Sequence, residues 1–331
     1  MIRGALVIWL ALAATSSTAD AQTTIVEAQQ SAGASSESVA GAATQLRVFG
    51  EPMPGLRFLV EGAFAATSGE ESDVFGTAYP YEGRHLIEAY GEYLLPAGAM
   101  LRSVRGGRYR TPFGIFAGSE HAYVGFLRPP LIRYGEYFAL SNGYLEHGVD
   151  VVVGAPRLWA ELSVGRPGDV GEAIRRPGVD SVVRVEGSVR SLIVGASFID
   201  TTPYLSERFA RGRARFGGLD ARWMNHGVEL RGEWLGGRPF DGTSTTGGYL
   251  DVLVHRPGMG PVTALARAER LDYSTVPQFA LHTQRYQAGV RVRLWQGLAI
   301  SLGASHQSGQ LTQHRRTALD AGLSYSVRKT F

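Results

Sequence analysis

Charged residues in this chain recur at every second position, and that spacing limits the chemistry open to them. Arg285, Arg291 and Arg293 alternate with Tyr286, Ala288, Val290, Val292 and Leu294. In an extended strand, residues two apart share a face. One face therefore carries guanidinium groups and the other apolar side chains. The same parity sets Arg184, Arg222, Arg231 and Arg267, with Glu88, Glu92 and Asp150, opposite apolar faces elsewhere. So many charges cannot sit in a dry core unless they are paired. Two outcomes stay open: the charges pair into a rigid wall, or they line water and act on a passing solute. Guanidinium suits the second role because it stays charged and grips carboxylate or phosphate with two parallel hydrogen bonds. Arg285, Arg291 and Arg293 are then a basic track that favours anions.

Reactive constellations are missing. The 8 histidines are scattered, without an H-E-x-x-H pair or close metal-ligand spacing. There is no G-x-S-x-G elbow and no Walker loop. His147 and Asp150 are the one pair that a single strand could present, and at i and i+3 they point to opposite faces. No catalytic, cofactor or metal residue is assigned, and the chain is expected not to be an enzyme. A barrel-borne hydrolase remains a minor alternative.

The elements that carry these residues follow from the chain's punctuation. Arg3, the apolar run Gly4 to Ala14 and the small-residue site Ala19-Asp20-Ala21 form a secretory signal, residues 1–21, with cleavage before Gln22. The run is too short for a spanning helix, which needs about 20 apolar residues. Residues 22–54 begin small and polar and read as a flexible periplasmic lead-in, although Gln45 to Gly50 could add a strand. From Gly55 to Phe331, segments of about ten residues alternate apolar and polar, as transmembrane strands do. Leu56, Phe58, Val60 and Phe64 share one face of the first; Ile87, Ala89, Tyr93 and Leu95 share one face of the second. Val262 to Ala268 is the weakest segment.

This pattern predicts an all-β, transmembrane, antiparallel up-and-down barrel over residues 55–331. It has about fourteen strands, within a range of twelve to sixteen, with short turns at one end and longer loops at the other. The 43 glycines, 14 tyrosines and 14 phenylalanines suit such a chain, and the absence of cysteine excludes disulfides. A net charge of +3 points to no nucleic-acid partner. The segment near 100–110 resists a single parity. Arg102, Arg108 and Arg110 suit the lumen, but Arg105 then faces lipid unless Gly106-Gly107 forms a bulge.

The connection 111–142 is too long for an ordinary loop and carries Phe113, Phe116, Phe126 and Tyr134. Folding that aromatic surface against the inner wall would narrow the pore and place Arg128 and Arg133 near the solute path. An external cap or trimer contact is the alternative.

Two resemblances add to this reading. The final strand, with Leu319, Ala321, Leu323, Tyr325, Val327 and Phe331, resembles the terminal signal of bacterial outer-membrane porins, though Lys329 interrupts its apolar face. That resemblance implies a partner, the barrel-assembly machinery. Arg108-Tyr109-Arg110-Thr111-Pro112-Phe113-Gly114 is similar to a stretch of phosphate-selective (O/P-type) porins, over about forty residues with the loop that follows. The resulting expectation is an outer-membrane channel for small polar solutes with a weak anion preference, a monomer or homotrimer in outer-membrane lipid. The alternative is a structural or surface-interaction barrel with a plugged lumen.

Overall fold

The computed structural model describes residues 23–68, 83–96, 98–115, 126, 128–133, 145–168, 179–201, 213–239, 242–255, 260–275, 279–309 and 317–331. The expected signal segment, 1–21, lies outside them. The strands are β1 (Thr23–Ser35), β2 (Val39–Met53), β3 (Leu56–Ser68), β4 (Gly83–Leu94), β5 (Leu101–Arg110), β6 (Leu145–Ala155), β7 (Leu158–Gly168) and β8 (Asp180–Val189). They continue with β9 (Leu192–Thr201), β10 (Ala214–Asn225), β11 (Val228–Arg238), β12 (Thr243–Val254), β13 (Val262–Thr275), β14 (Phe279–Trp295), β15 (Leu298–Gly309) and β16 (Thr317–Thr330). Each strand pairs antiparallel with its sequence neighbours, and β1 pairs with β16 to close the barrel. Closure satisfies every strand edge, which is what lets a sheet live in hydrocarbon.

Two strands replace the expected lead-in. Residues 23–53 form β1 and β2, which accounts for sixteen strands rather than about fourteen. Toward their shared turn their faces are built mainly from Ala, Gly, Ser and Thr, so alternation leaves little hydropathy contrast to read there. What holds them is ladder pairing, from Ile25↔Thr330 to Ser35↔Asp320 on one side and Thr23↔Glu51 to Ser35↔Val39 on the other. The weak segment at 262–268 lies within β13, which pairs along its length with β12 and β14.

The start of β1 and the end of β16 meet at one rim, where the Phe331 amide donates to the Thr24 carbonyl over 2.9 Å. That rim also carries the tight turns at 54–55, 156–157, 190–191, 226–227 and 296–297. Gly297 (φ 76°) and Gly55 (φ 79°) supply the left-handed backbone there. The long connections 69–82, 111–144, 169–179 and 202–213 leave the opposite rim.

The outer surface is apolar in the way parity predicts. Phe64, Leu162, Phe198, Leu219, Tyr286 and Leu319 are all exposed, Leu219 by 66%. So continuous an apolar surface has to be covered by lipid or protein. Ile87 departs from its expected outward face and is fully buried. Leu86 is exposed instead, because the register slips at Glu61/Gly62 and Ile87 is the extra residue.

Candidate functional site

The inner face has two contrasting walls. On β8–β14, inward positions near the long-loop rim carry Val182, Ile199, Phe216, Leu235, Leu271 and Leu281, all buried. Against them pack Phe113, Phe126, Leu131 and Ile132 from the β5–β6 connection. Each such side chain stabilises the seated loop by about 1.5–3 kcal/mol relative to exposure. Glycines make the room: a Cβ on Gly247 would stand 3.1 Å from Ile132 Cγ2, and one on Gly218 would collide with the Leu235 side chain.

Hydrogen bonds then lock the loop's backbone to the wall. The Leu131 amide donates to Glu269 Oε2 over 2.7 Å, and the Gly114 amide donates to Ser197 Oγ over 3.1 Å. Arg285 donates to the Pro129 carbonyl, while Arg267 donates to the Arg128 carbonyl over 3.0 Å. Each of these arginines is neutralised within the wall. Arg285 pairs with Glu269 at 3.0 Å, and Arg267 pairs with Asp251 through bonds of 2.6 and 2.9 Å. The Arg267 guanidinium also lies 4.1 Å from the Phe126 ring centre, a cation–π contact. Arg128 reaches farther, to Asp320 at 2.7 Å, Glu37 at 2.7 Å and Ser35 at 2.9 Å. One loop thus joins β9, β13, β16 and the β1–β2 turn across the barrel interior.

The opposite wall, β2–β7, is built from ion pairs. Arg47 meets Glu61 at 2.7 Å, and Arg110 meets Glu61 at 2.9 Å and Glu88 at 3.2 Å. Arg105 bridges Glu161 at 2.8 Å and Asp150 at 3.2 Å, with its guanidinium 4.5 Å from the Tyr109 ring and 5.2 Å from the Tyr90 ring. Beyond this wall, Arg184 holds Asp220 at 2.7 Å and Glu186 at 2.9 Å. Gly195 faces that pair, and a Cβ there would come within 2.6 Å of Asp220 Oδ2.

Comparison with known proteins rests on structure alone. No family model matches the chain, and no curated protein matches it. Among solved structures, OmpF of Salmonella typhi, in complex with daunomycin, aligns with a TM-score of 0.66 at 10% identity, covering 92% of this chain and 97% of its own. An anion-selective porin from Comamonas acidovorans aligns at 0.61 with 11% identity, covering 94% and 99%. OprB of Pseudomonas putida aligns at 0.61 with 9% identity, covering 94% of each chain. The fold is that of the outer-membrane porins.

Within this porin fold, the residues expected at the site separate into two sets. Arg184, Arg267 and Arg285 are buried and tied into pairs, Arg285 being 1% exposed. Arg285 therefore holds the loop. Arg222 and Arg231 lie partly open in the half nearer the tight turns, with Arg222 3.1 Å from Glu186 and Arg231 2.6 Å from Glu229. Arg291 is half-buried and Arg293 is exposed. Glu88 and Asp150 are buried and paired, and Glu92 is half-buried. Phe113 sits in the apolar seat, and Arg128, 2% exposed, is an anchor. Arg133 ends the short 3-10 turn Leu131–Arg133. Phe116 and Tyr134 lie outside the described residues.

The parity conflict in β5 resolves the other way from the expectation. Ser103, Arg105 and Tyr109 face inward, while Arg108 faces outward against exposed His147. The register shift falls at Leu101/Ser103, so counting from Arg102 gives the wrong face. Arg110, the last residue of β5, turns in with Tyr109 as the chain enters the loop, so both neighbours are buried. The stretch 108–114, which resembles phosphate-selective porins, here ends β5 and delivers Phe113 to its seat. The inner apolar seat was not legible from alternation. A buried inward Leu looks the same in sequence as an outward one displaced by a bulge.

Proposed function

We propose that this chain is a bacterial outer-membrane channel through which small polar solutes diffuse passively. The observation that carries this reading is a closed barrel, apolar outside and charged inside, with a loop folded against only part of its inner wall. An apolar exterior matches lipid. A barrel of this strand number leaves an aqueous lumen unless something fills it. The loop narrows that lumen, and the paired arginines hold its outline.

Charge selection falls to Arg291 and Arg293, which follow one another on the inner face of β14 about 7 Å apart. The reading is a weak anion preference, strongest at low salt because screening shortens the reach of charges in water. Catalysis finds no support in the one pair considered for it: His147 is exposed outside the wall and Asp150 is buried inside it, on opposite faces as their spacing implied.

A second reading has its own observation. The density of buried pairs, with Arg128 spanning from Asp320 to Glu37, would also suit a plugged structural barrel. Single-channel recording separates the two. Discrete ohmic openings in a planar bilayer support the channel, and persistent silence from folded, inserted protein supports the plug.

A further inference from the structure

The two rims of the barrel differ in charge. The connections at the tight-turn rim, 54–55, 95–100, 156–157, 190–191, 226–227, 255–261 and 296–297, contain no Asp or Glu. Each long connection at the opposite rim contains at least one in sequence, among them Glu70, Glu136, Asp169 and Glu207. Basic residues remain at the tight-turn rim. Arg157, Arg190, His226 and His255 occupy successive connections there, and all are exposed. Backbone hydrogen bonds tie these connections into one arc. The Ser188 amide donates to the Arg157 carbonyl over 2.9 Å, the Met224 amide to the Ser191 carbonyl over 3.2 Å, and the His255 amide to the Gly227 carbonyl over 2.8 Å.

The two arginines of the arc are open to a ligand. Among the described residues, neither the Arg157 nor the Arg190 side chain has an ion-pair or hydrogen-bond partner. The carboxylates nearest to them in the chain are held inside the barrel, Glu161 by Arg105 at 2.8 Å and Glu186 by Arg184 at 2.9 Å. Arg190 also has a backbone conformation that glycine adopts more easily. Its φ is 54°, in the left-handed region, at the first position of a two-residue hairpin turn. A guanidinium kept where glycine fits better points to a use for the side chain. Just inside the arc, Leu158, Val189 and Leu192 face outward, exposed by 61%, 71% and 41%. Val189 and Leu192 are ladder partners, and Leu192 also pairs with outward Trp223 on β10. Tryptophan at the end of an apolar band marks the level where acyl chains give way to headgroups.

We infer that the arc of short turns from β6 to β12 binds the headgroups of anionic phospholipids through Arg157 and Arg190. The apolar residues beside the two arginines face acyl chains, which a soluble acidic partner lacks. Guanidinium meets phosphate with a fork of donors, and each arginine at an anionic lipid surface adds to the attraction. This inference rests on the membrane reading of the barrel, so insertion is measured separately, by flotation with phosphatidylcholine vesicles.

The test is native mass spectrometry of the full folded chain in nonionic detergent, titrated with phosphatidylglycerol. The wild type should retain this lipid more tightly than phosphatidylcholine, and R157Q/R190Q should weaken retention roughly thirty-fold. R157K/R190K should keep most of it. R190G separates binding from folding: retention should weaken several-fold while the thermal midpoint stays level or rises, because glycine relaxes the turn. Equal retention by the wild type and R157Q/R190Q overturns the site, as does equal affinity for phosphatidylcholine. Displacement by inorganic phosphate or by soluble polyglutamate at matched concentration would make the rim a general anion surface and overturn the lipid assignment. A lower thermal midpoint in R190G would give Arg190 a structural role and remove it from the site. Failure of the wild type to float would instead refute the membrane reading.

Discussion

The two inner walls of the barrel solve one problem by different means. The β8–β14 wall turns apolar side chains inward and covers them with the β5–β6 loop. The β2–β7 wall keeps its charges and cancels them pairwise, as in Arg47–Glu61–Arg110–Glu88. The first arrangement depends on a segment distant in sequence, while the second is made between strands one or two places apart in the sheet. Damage to the loop wall should therefore change pore geometry. Damage to the ion-pair wall should mainly cost local stability.

The largest effect should come from Glu269→Ala. Glu269 neutralises Arg285 and accepts the Leu131 amide, so its loss strands a buried guanidinium and frees the loop. Breaking a buried pair from one side costs about 3–5 kcal/mol. The urea midpoint should fall and single-channel conductance should rise. Normal conductance would mean that the loop does not set the pore.

Phe113→Ala should come next, losing about 3 kcal/mol by removing a ring from the apolar seat. Its diagnostic is a noisier, larger conductance with the ion-pair wall intact, read from open-channel variance. If the barrel weakens without any change in current, the seat is structural only.

Arg47→Ala sharpens the contrast from the other side. Arg47 is partly exposed, and Arg110 remains to hold Glu61. Stability should drop by about 1 kcal/mol or less, with conductance unchanged. A conductance change here as large as in Glu269→Ala would erase the distinction between the walls.

The smallest effect should be that of Arg291→Glu with Arg293→Glu. Reversal potential in a salt gradient should move toward cation preference at low salt and converge on the wild type at high salt. No movement at low salt would remove these residues from the selectivity account.

Much of the outer surface was legible in advance. The alternation from Tyr286 to Leu294 placed those side chains outward and Arg291 inward, because hydropathy contrast between the two faces is large there. Of β1 and β2 only Gln45 to Gly50 was legible as a possible strand, because Ala32, Ala34, Ala40 and Ala42 give alternation almost no contrast. The facing of β5 stayed open because the bulge at Leu101/Ser103 shifts parity by one, and a one-residue slip exchanges the faces of a strand.

What the sequence determined by itself was the barrel, its polarity of short turns and long loops, and a long connection whose aromatic surface had to be covered. Those follow from local periodicity and length, which act within a strand or a loop. Only the tertiary structure decided which carboxylate each arginine meets, and that Arg285 serves the loop. Glu269 and Leu131 are 138 positions apart, as are no residues within one strand. Their contact exists because closing β1 onto β16 fixes the curvature that brings the loop to the far wall.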